Sequence, residues 1–328
     1  MKSVFVNSTQ PNEKTLGYYK AQGVLSSLGK YTEGAQELPG DPLKLSEIVQ
    51  GIILHDMWIA KYNVTPKTEQ WCNALSPSVE DLLDTVVGVD QGEPFNHREP
   101  GDRVIACCRE FSTMLCGILR AKGIPARARC GFAPYLAKEG FYEDHWMCEA
   151  WNGTSWQRVD PQIDSFQLKV FHDYAKEHSE LGADYREMLM EFDPQNLKPG
   201  DFMIAGEAWQ KCRSGDLSPN TFGIGVDLSK YGLRSPYGLW FIRGNLIRDF
   251  LALNKIELLP FVEGLEKTKI YWDDWTMMQP DAIISDEDMT LLDKISELTS
   301  NPDENLQEIQ QLYTNSKQLH PPKSILAS

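Results

Sequence analysis

The chain has 328 residues, a hydrophobic share of 41% and a formal net charge of −15. This acidic balance argues against nucleic acid or an anionic membrane as a partner, because phosphate groups are bound by clustered Lys and Arg. No apolar run approaches the roughly 20 residues of a membrane-spanning helix, and the first residues lack the long apolar stretch of a secretory signal. We therefore expect a cytoplasmic protein.

The predicted elements begin with an interrupted helix over 13–30. Apolar residues at helical spacing predict a second helix over 43–62, with Pro42 near its start, where proline is tolerated. A further helix is predicted over 77–87, with Ser76 as its N-cap.

The next helix is predicted to begin near Cys108, because apolar side chains recur at helical spacing over 111–119. Gly123 would end it. A strand over 127–132 and a hairpin over 144–161 follow. Helices that precede a small antiparallel sheet predict an α+β fold.

Beyond residue 161 the patterns predict a mainly helical extension. Its candidate helices lie within 164–199 and over 240–259, 286–298 and 305–319. The strongly apolar segment 240–259 is expected to pack as a buried helix against the core or to shape the substrate cleft. We assign the N-terminal helices and catalytic core to residues 1–165. The extension, 166–328, is expected to pack on that core, as a second domain or as part of the same one.

The cysteines argue against a disulfide framework and against zinc. Seven cysteines are scattered along the chain without a C-x-x-C pair, which suits a reducing compartment. Cys and His do not recur at the short spacings of zinc ligands, so no metal and no cofactor is predicted. Cysteines away from 107 and 108 are interpreted as small buried hydrophobes.

Three side chains between residues 107 and 160 are those that thiol-based acyl transfer requires. A thiol attacks as the thiolate, which the N-terminus of a helix favours. An imidazole pairs with the thiolate and later protonates the leaving amine, and a carboxylate orients the imidazole. Cys108, His145 and Asp160 fit these roles. Cys108 is preferred to Cys107 because it lies one turn before Phe111, which begins the inward-facing apolar stripe.

The hairpin brings the histidine and the aspartate together. Asn-Gly at 152–153 predicts a two-residue type I′ turn, which would make His145 and Asp160 direct cross-strand partners. Their Cβ atoms would then be about 4.5–5.5 Å apart. A longer loop that closes at Trp151 and Trp156 would make the pair diagonal, and still within reach.

Ordered blocks in this region resemble a known family. The run C-R-E-F-S, the helix after it and R-A-K-G-I-P-A-R resemble the transglutaminase-like core, in which a cysteine opens the central helix. D-H-W-M-C-E-A-W and W-Q-R-V-D-P resemble that family's histidine and D-P blocks. The resemblance covers 102–161. It implies a papain-like α+β architecture with Cys108 as nucleophile, His145 as base and acid, and Asp160 as orienter.

Acyl transfer also needs donors for the developing oxyanion. The backbone N–H of Cys108 is one natural candidate. The resemblance implies a second donor upstream, for which Trp71, or Gln70 beside it, stands at a suitable distance. His55 is interpreted as an ordinary packed or surface histidine, and Glu110 as a structural acid in the first helical turn.

The predicted function is attack on the amide bond of a peptide or small amide, through a thioester. Hydrolysis is preferred because water needs no dedicated amine tunnel, and transfer to an amine is the alternative. A non-catalytic binding module on the same fold is a further alternative, disfavoured because all three triad residues are present. Redox chemistry between Cys107 and Cys108 is disfavoured, because adjacent cysteines close only a small, strained ring.

Overall fold

The computed structural model describes residues 11–72, 78–225, 236–258 and 284–321. Its helices are α1 (Glu13–Lys20), α2 (Thr32–Gln36), α3 (Pro42–Gln50), α4 (Val79–Asp90), α5 (Cys108–Ala121), α6 (Ser165–Glu177), α7 (Ala183–Glu191), α8 (Ala205–Ser214), α9 (Leu239–Leu253), α10 (Asp286–Ser300) and α11 (Pro302–Asn315). Its strands are β1 (Ile53–His55), β2 (Val104–Ala106), β3 (Ala126–Ala133), β4 (Tyr142–Trp151), β5 (Trp156–Val159), β6 (Met203–Ile204) and β7 (Phe222–Gly223).

A five-stranded sheet forms the centre of the molecule, in the order β5-β4-β3-β6, with β7 paired to β4. The long β3–β4 pair is antiparallel. Helix α5 packs on Cys130, Trp146 and Cys148, alternate residues of these two strands. On another side Met147 packs with Phe171 of α6. This mixed arrangement of helices on a mainly antiparallel sheet is the predicted α+β, papain-like fold class.

The predicted helix over 43–62 is wrong in its second half. Helix α3 ends at Gln50, and Gly51 closes it with its N–H donating to Glu47 O. The buried residues Ile53–His55 then form β1, which pairs in parallel with β2. A short apolar run fits a buried strand as well as a helix, so periodicity could not separate the two.

Smaller differences concern where helices begin and end. The N-cap of α4 is Ser78, whose side chain accepts from Asp81 N, whereas the predicted N-cap Ser76 lies outside the described residues. The helix predicted over 13–30 ends at Lys20. Sequence patterns place helix ends only to within a few residues.

The hairpin between β4 and β5 has a four-residue loop, so the predicted two-residue turn is wrong. Trp151 pairs with Trp156, and their rings meet edge to face at 5.5 Å. The Asn152 side-chain oxygen accepts from Thr154 N at 3.0 Å and Ser155 N at 2.9 Å. These backbone bonds and the tryptophan contact stabilise the longer loop that the sequence left open.

Helix α9 is the buried apolar helix predicted within 240–259, whose last residue lies outside the described part. It packs against β3, where Phe132 and Phe241 place their rings 6.4 Å apart. Asp249 of α9 lies 2.8 Å from Arg129 Nη2, and both side chains are buried. The segment after residue 165 thus contacts the core through apolar and ionic groups, while its division from the core at residue 165 stays a prediction.

Substitution of Asp249 by asparagine is expected to lower the free energy of unfolding by about 3–5 kcal/mol, because it removes one of the two buried carboxylates, Asp249 and Glu149, that neutralise the Arg129 guanidinium. Asp249 Oδ1 also accepts from Arg129 Nε at 2.9 Å and from Cys130 N at 3.0 Å. Urea unfolding would measure the change. The control is Asp173→Asn, whose partner Lys169 is exposed; it should not shift the urea midpoint measurably. Equal midpoints for the two variants would contradict the expectation.

In the part of the chain that the structure describes, no helix combines the length and the apolar character needed to cross a membrane.

Candidate active site

The two adjacent cysteines at the start of α5 have different surroundings. Cys107 is the N-cap residue and is half-buried, and its backbone N–H and thiol donate to Glu110 Oε2 at 3.1 and 3.0 Å. Glu110 is therefore a helix-capping residue, as expected. Cys108, the first residue of the helix, is buried, and His145 lies close enough to its side chain to lower the pKa of the thiol. The structure thus places Cys108, rather than Cys107, beside the predicted base.

His145 and Asp160 meet across the hairpin. His145 Nε2 lies 2.8 Å from Asp160 Oδ2, and both side chains are almost completely buried. The longer loop makes the pair diagonal, because Cys148 already faces Val159. Since Nε2 is held by the carboxylate, Nδ1 is the ring nitrogen left to face Cys108.

Asp160 is held by further hydrogen bonds. Its backbone N–H donates to Pro194 O at 2.7 Å, and its Oδ1 accepts from Gln162 N at 2.9 Å. The buried Tyr135 hydroxyl donates to Asp160 Oδ2 at 2.7 Å, and its ring contacts His145 edge to face at 6.1 Å. Sequence analysis missed Tyr135, and no local signal marks it, because only the fold brings it to the carboxylate.

His55 also lies at the cysteine, and its interpretation as an ordinary packed or surface histidine was incomplete. The β1–β2 register places His55 opposite Ala106, two residues before Cys108. The His55 side chain is buried and stacks on the Phe111 ring at 6.4 Å, and it lies close enough to Cys108 for the thiol to raise the pKa of the imidazole. The only sequence signal for this contact was a histidine ending a short buried run, which was read as helical.

These neighbours favour a thiolate at Cys108. The neighbouring Cys107 thiol lowers the pKa of the Cys108 thiol most, and His145 and His55 lower it further, so that it lies well below its ordinary value despite burial. The same contact raises the pKa of Cys107, which therefore keeps its proton.

Both imidazoles hold their protons more tightly than usual. Burial acts to lower the pKa of His145, but the Asp160 carboxylate and Cys108 together raise it to about 10. Burial likewise opposes protonation of His55, but Asp56 and Cys108 raise its pKa to about 9. At neutral pH the site therefore holds a thiolate between two imidazolium groups.

The two predicted upstream donors are placed differently. Gln70 is buried, and its amide N–H groups donate to the carbonyl oxygens of Gly101 and Arg103 at 2.7 and 2.9 Å. It therefore holds the loop before β2 and has no amide N–H left for an oxyanion. Trp71 pairs its backbone with Ile105 of β2, but its side chain is 47% exposed. Its role as an oxyanion donor stays a prediction.

No group of three or more His, Cys, Asp or Glu side chains suited to a metal ion occurs within the four described segments. Cys108, His145 and Asp160 are the side-chain types that thiol-based acyl transfer requires.

Comparisons with known proteins find a similarity over the segment that holds this site. A search among curated proteins finds no significant match. Among solved structures, a candidate cysteine protease from Cytophaga hutchinsonii is similar at 18% identity and a TM-score of 0.30, over 48% of this chain and 45% of that one. Residues 83–161 match the model of the transglutaminase-like superfamily, which supports in broad terms an enzyme that works through a cysteine. The matched segment includes Cys108, His145 and Asp160, so the part of the chain that holds the candidate site is similar to the transglutaminase-like superfamily.

Proposed function

We propose that the protein is a cysteine hydrolase that cleaves the amide bond of a peptide or small amide through a thioester on Cys108. The observation that carries the proposal is the meeting of Cys108, His145 and Asp160 at the N-terminus of α5, where His145 lowers the pKa of the Cys108 thiol and its Nε2 lies 2.8 Å from Asp160 Oδ2. Burial of the series excludes bulk water from the ion pair, which strengthens the electrostatic interactions within it.

The proposed reaction begins with attack of the Cys108 thiolate on the carbonyl carbon. As the S–C bond forms, the carbonyl π electrons move to oxygen, where the backbone N–H of Cys108 can donate to them. When the intermediate collapses, the C–N bond breaks and His145 gives its Nδ1 proton to the departing amine. Neutral His145 then takes a proton from water as the water oxygen attacks the thioester, and Cys108 departs as thiolate.

Transfer to an amine shares the first half of this reaction and remains the alternative. Incubation with a labelled primary amine and a glutamine-containing peptide would separate the two outcomes. Hydrolysis predicts release of acid with no labelled peptide, whereas incorporation of the label would identify an acyltransferase. We retain hydrolysis because water is small enough to reach the thioester by any path open to the substrate.

The first test of the thiolate is alkylation by iodoacetamide across pH, with the modified cysteines mapped by mass spectrometry. Cys108 is expected to react well below the ordinary thiol pKa of about 8.5, because its neighbours lower its pKa. His145→Ala should shift the midpoint upward, since one of the groups that stabilise the anion is removed. An ordinary thiol profile for Cys108 in both proteins would instead support the non-catalytic binding module.

The rate of amide turnover is expected to stay nearly constant over a broad range of pH. The acid limb reports Cys108, which loses activity only as the pH falls through its lowered pKa. The alkaline limb reports His145, whose pKa is raised to about 10, because above that pH the leaving amine has no acid. Rates with a fluorogenic peptide amide would measure both limbs. An aryl ester, whose leaving group needs no proton, should lack the alkaline limb; an identical fall for both substrates would argue against His145 as the acid.

A further inference from the structure

Two imidazoles contact Cys108, and the proposed reaction uses only one of them. His145 belongs to β4 and is oriented by Asp160, as the base and acid require. His55 belongs to β1, on the separate β1–β2 pair, and lies outside the segment that matches the family model. The role of this second imidazole is therefore open.

The surroundings of His55 fix which nitrogen faces the cysteine. Asp56 Oδ1 lies 2.9 Å from His55 Nδ1, and Met57 N, which donates to Asp56 Oδ1 at 2.6 Å, lies 3.2 Å from the same ring nitrogen. Both contacts are made at Nδ1, so Nε2 is the nitrogen left for Cys108. Stacking on Phe111, one turn into α5, holds the ring plane. Such anchoring is typical of a side chain that must be preorganised.

The position of His55 suits the oxygen of the substrate carbonyl. The chain runs from β2 through Cys107 into α5, so the Cys108 backbone N–H and the β1–β2 pair lie at the same helix end. His145 approaches the sulfur from the five-stranded sheet and must remain on the leaving-group side to protonate the amine. The charge that moves from sulfur to oxygen during attack can then stay next to the His55 cation. The charged groups that act on the His55 ring are Asp56 and Cys108 itself.

We propose that His55 is a catalytic residue that donates its Nε2–H to the oxyanion formed when Cys108 attacks the substrate carbonyl. This assignment rests on the proposed function. It gives His55 the role that Trp71 was predicted to have. Trp71 pairs its backbone with Ile105 of β2, whereas His55 is the last residue of β1.

The test compares two reactions of the same thiolate. Alkylation by iodoacetamide displaces iodide and forms no oxyanion, whereas acylation by p-nitrophenyl acetate forms one. His55→Phe keeps an aromatic ring on Phe111 but removes the N–H donor. At a pH where Cys108 is fully ionised, we expect this variant to acylate about 10²- to 10³-fold more slowly, the effect of losing one oxyanion donor. Its alkylation rate should change less than about threefold.

Two further variants keep the proposal falsifiable if His55→Phe folds poorly. His55→Gln retains an N–H donor near Nε2 without the cation, and should recover at least tenfold of the lost acylation rate. Trp71→Phe removes the rival indole donor and should leave both rates within about threefold of wild type. His178→Ala, at a partly exposed histidine that caps the C-terminal end of α6, serves as the matched control.

Each result has a separate meaning. Equal losses of acylation and alkylation in His55→Phe would show that His55 only stabilises the thiolate, and would overturn the inference. A selective loss of acylation in Trp71→Phe instead would overturn it in favour of Trp71. Failure of wild-type Cys108 to react faster than the other cysteines with either reagent would overturn the proposed function itself.

Discussion

Replacement of Cys108 by alanine is expected to abolish acyl-enzyme formation and to lower turnover by a factor on the order of 10⁶, the loss seen when the nucleophile of a triad is removed. The effect is this large because His145 and Asp160 assist only steps in which the Cys108 sulfur forms or breaks a bond. Intact-mass spectrometry after incubation with p-nitrophenyl acetate would detect the thioester directly, independently of the natural substrate.

The matched control for this variant is Cys107→Ser. The Cys107 thiol lowers the pKa of the Cys108 thiol and donates to Glu110, and a serine keeps a hydroxyl donor at that position. We expect Cys107→Ser to form the thioester at a reduced but measurable rate. An adduct that persists in Cys108→Ala and maps to Cys107 would show that the neighbouring cysteine is the nucleophile.

The second large effect is expected from Asp160→Asn, which should slow amide turnover by about 10²- to 10⁴-fold, the range of a lost acid–base contribution. The carboxylate is the main group that raises the pKa of His145 against burial. Without the charge of Asp160, the His145 imidazolium loses its proton at a lower pH, so the alkaline limb of the rate profile should move to lower pH. The amide nitrogen of asparagine also has no acceptor in the protonated ring.

Tyr135→Phe tests how the orientation of Asp160 contributes to turnover, separately from its charge. The tyrosine hydroxyl donates to the same oxygen that holds His145, so its loss removes a hydrogen bond but keeps the carboxylate. We expect a loss of turnover at least tenfold smaller than in Asp160→Asn, with the alkaline limb nearly unchanged. Equal losses in the two variants would indicate that orientation, rather than charge, is the main contribution of Asp160.

The sequence predicted the parts of this site that depend on local pattern. An apolar stripe that begins at Phe111 and ends before Gly123 indicates where α5 lies, so Cys108 could be placed at its start. Two strands around an Asn-Gly pair indicate a hairpin, so His145 and Asp160 could be placed near each other. Such patterns depend on residues close in the chain, which is why one sequence sufficed.

Local patterns could not predict the register of that hairpin. Asn152 can serve a two-residue turn or cap a four-residue loop, and the ring contact of Trp151 with Trp156 favours the second. A register shift of two residues keeps every side chain on its own face. His145 and Asp160 therefore still contact each other, as a diagonal pair, although the predicted turn was wrong.

The sequence by itself thus determined the α+β fold class and the similarity of one segment to the transglutaminase-like superfamily, and it predicted the residues of the candidate triad, because these follow from short-range order along the chain. The tertiary structure decided the rest. Only the parallel pairing of β1 with β2 brings His55 to Cys108, and only the fold after β3 brings Tyr135 to Asp160. Both contacts join segments that share no periodicity and no motif, so their proximity is a property of the folded chain.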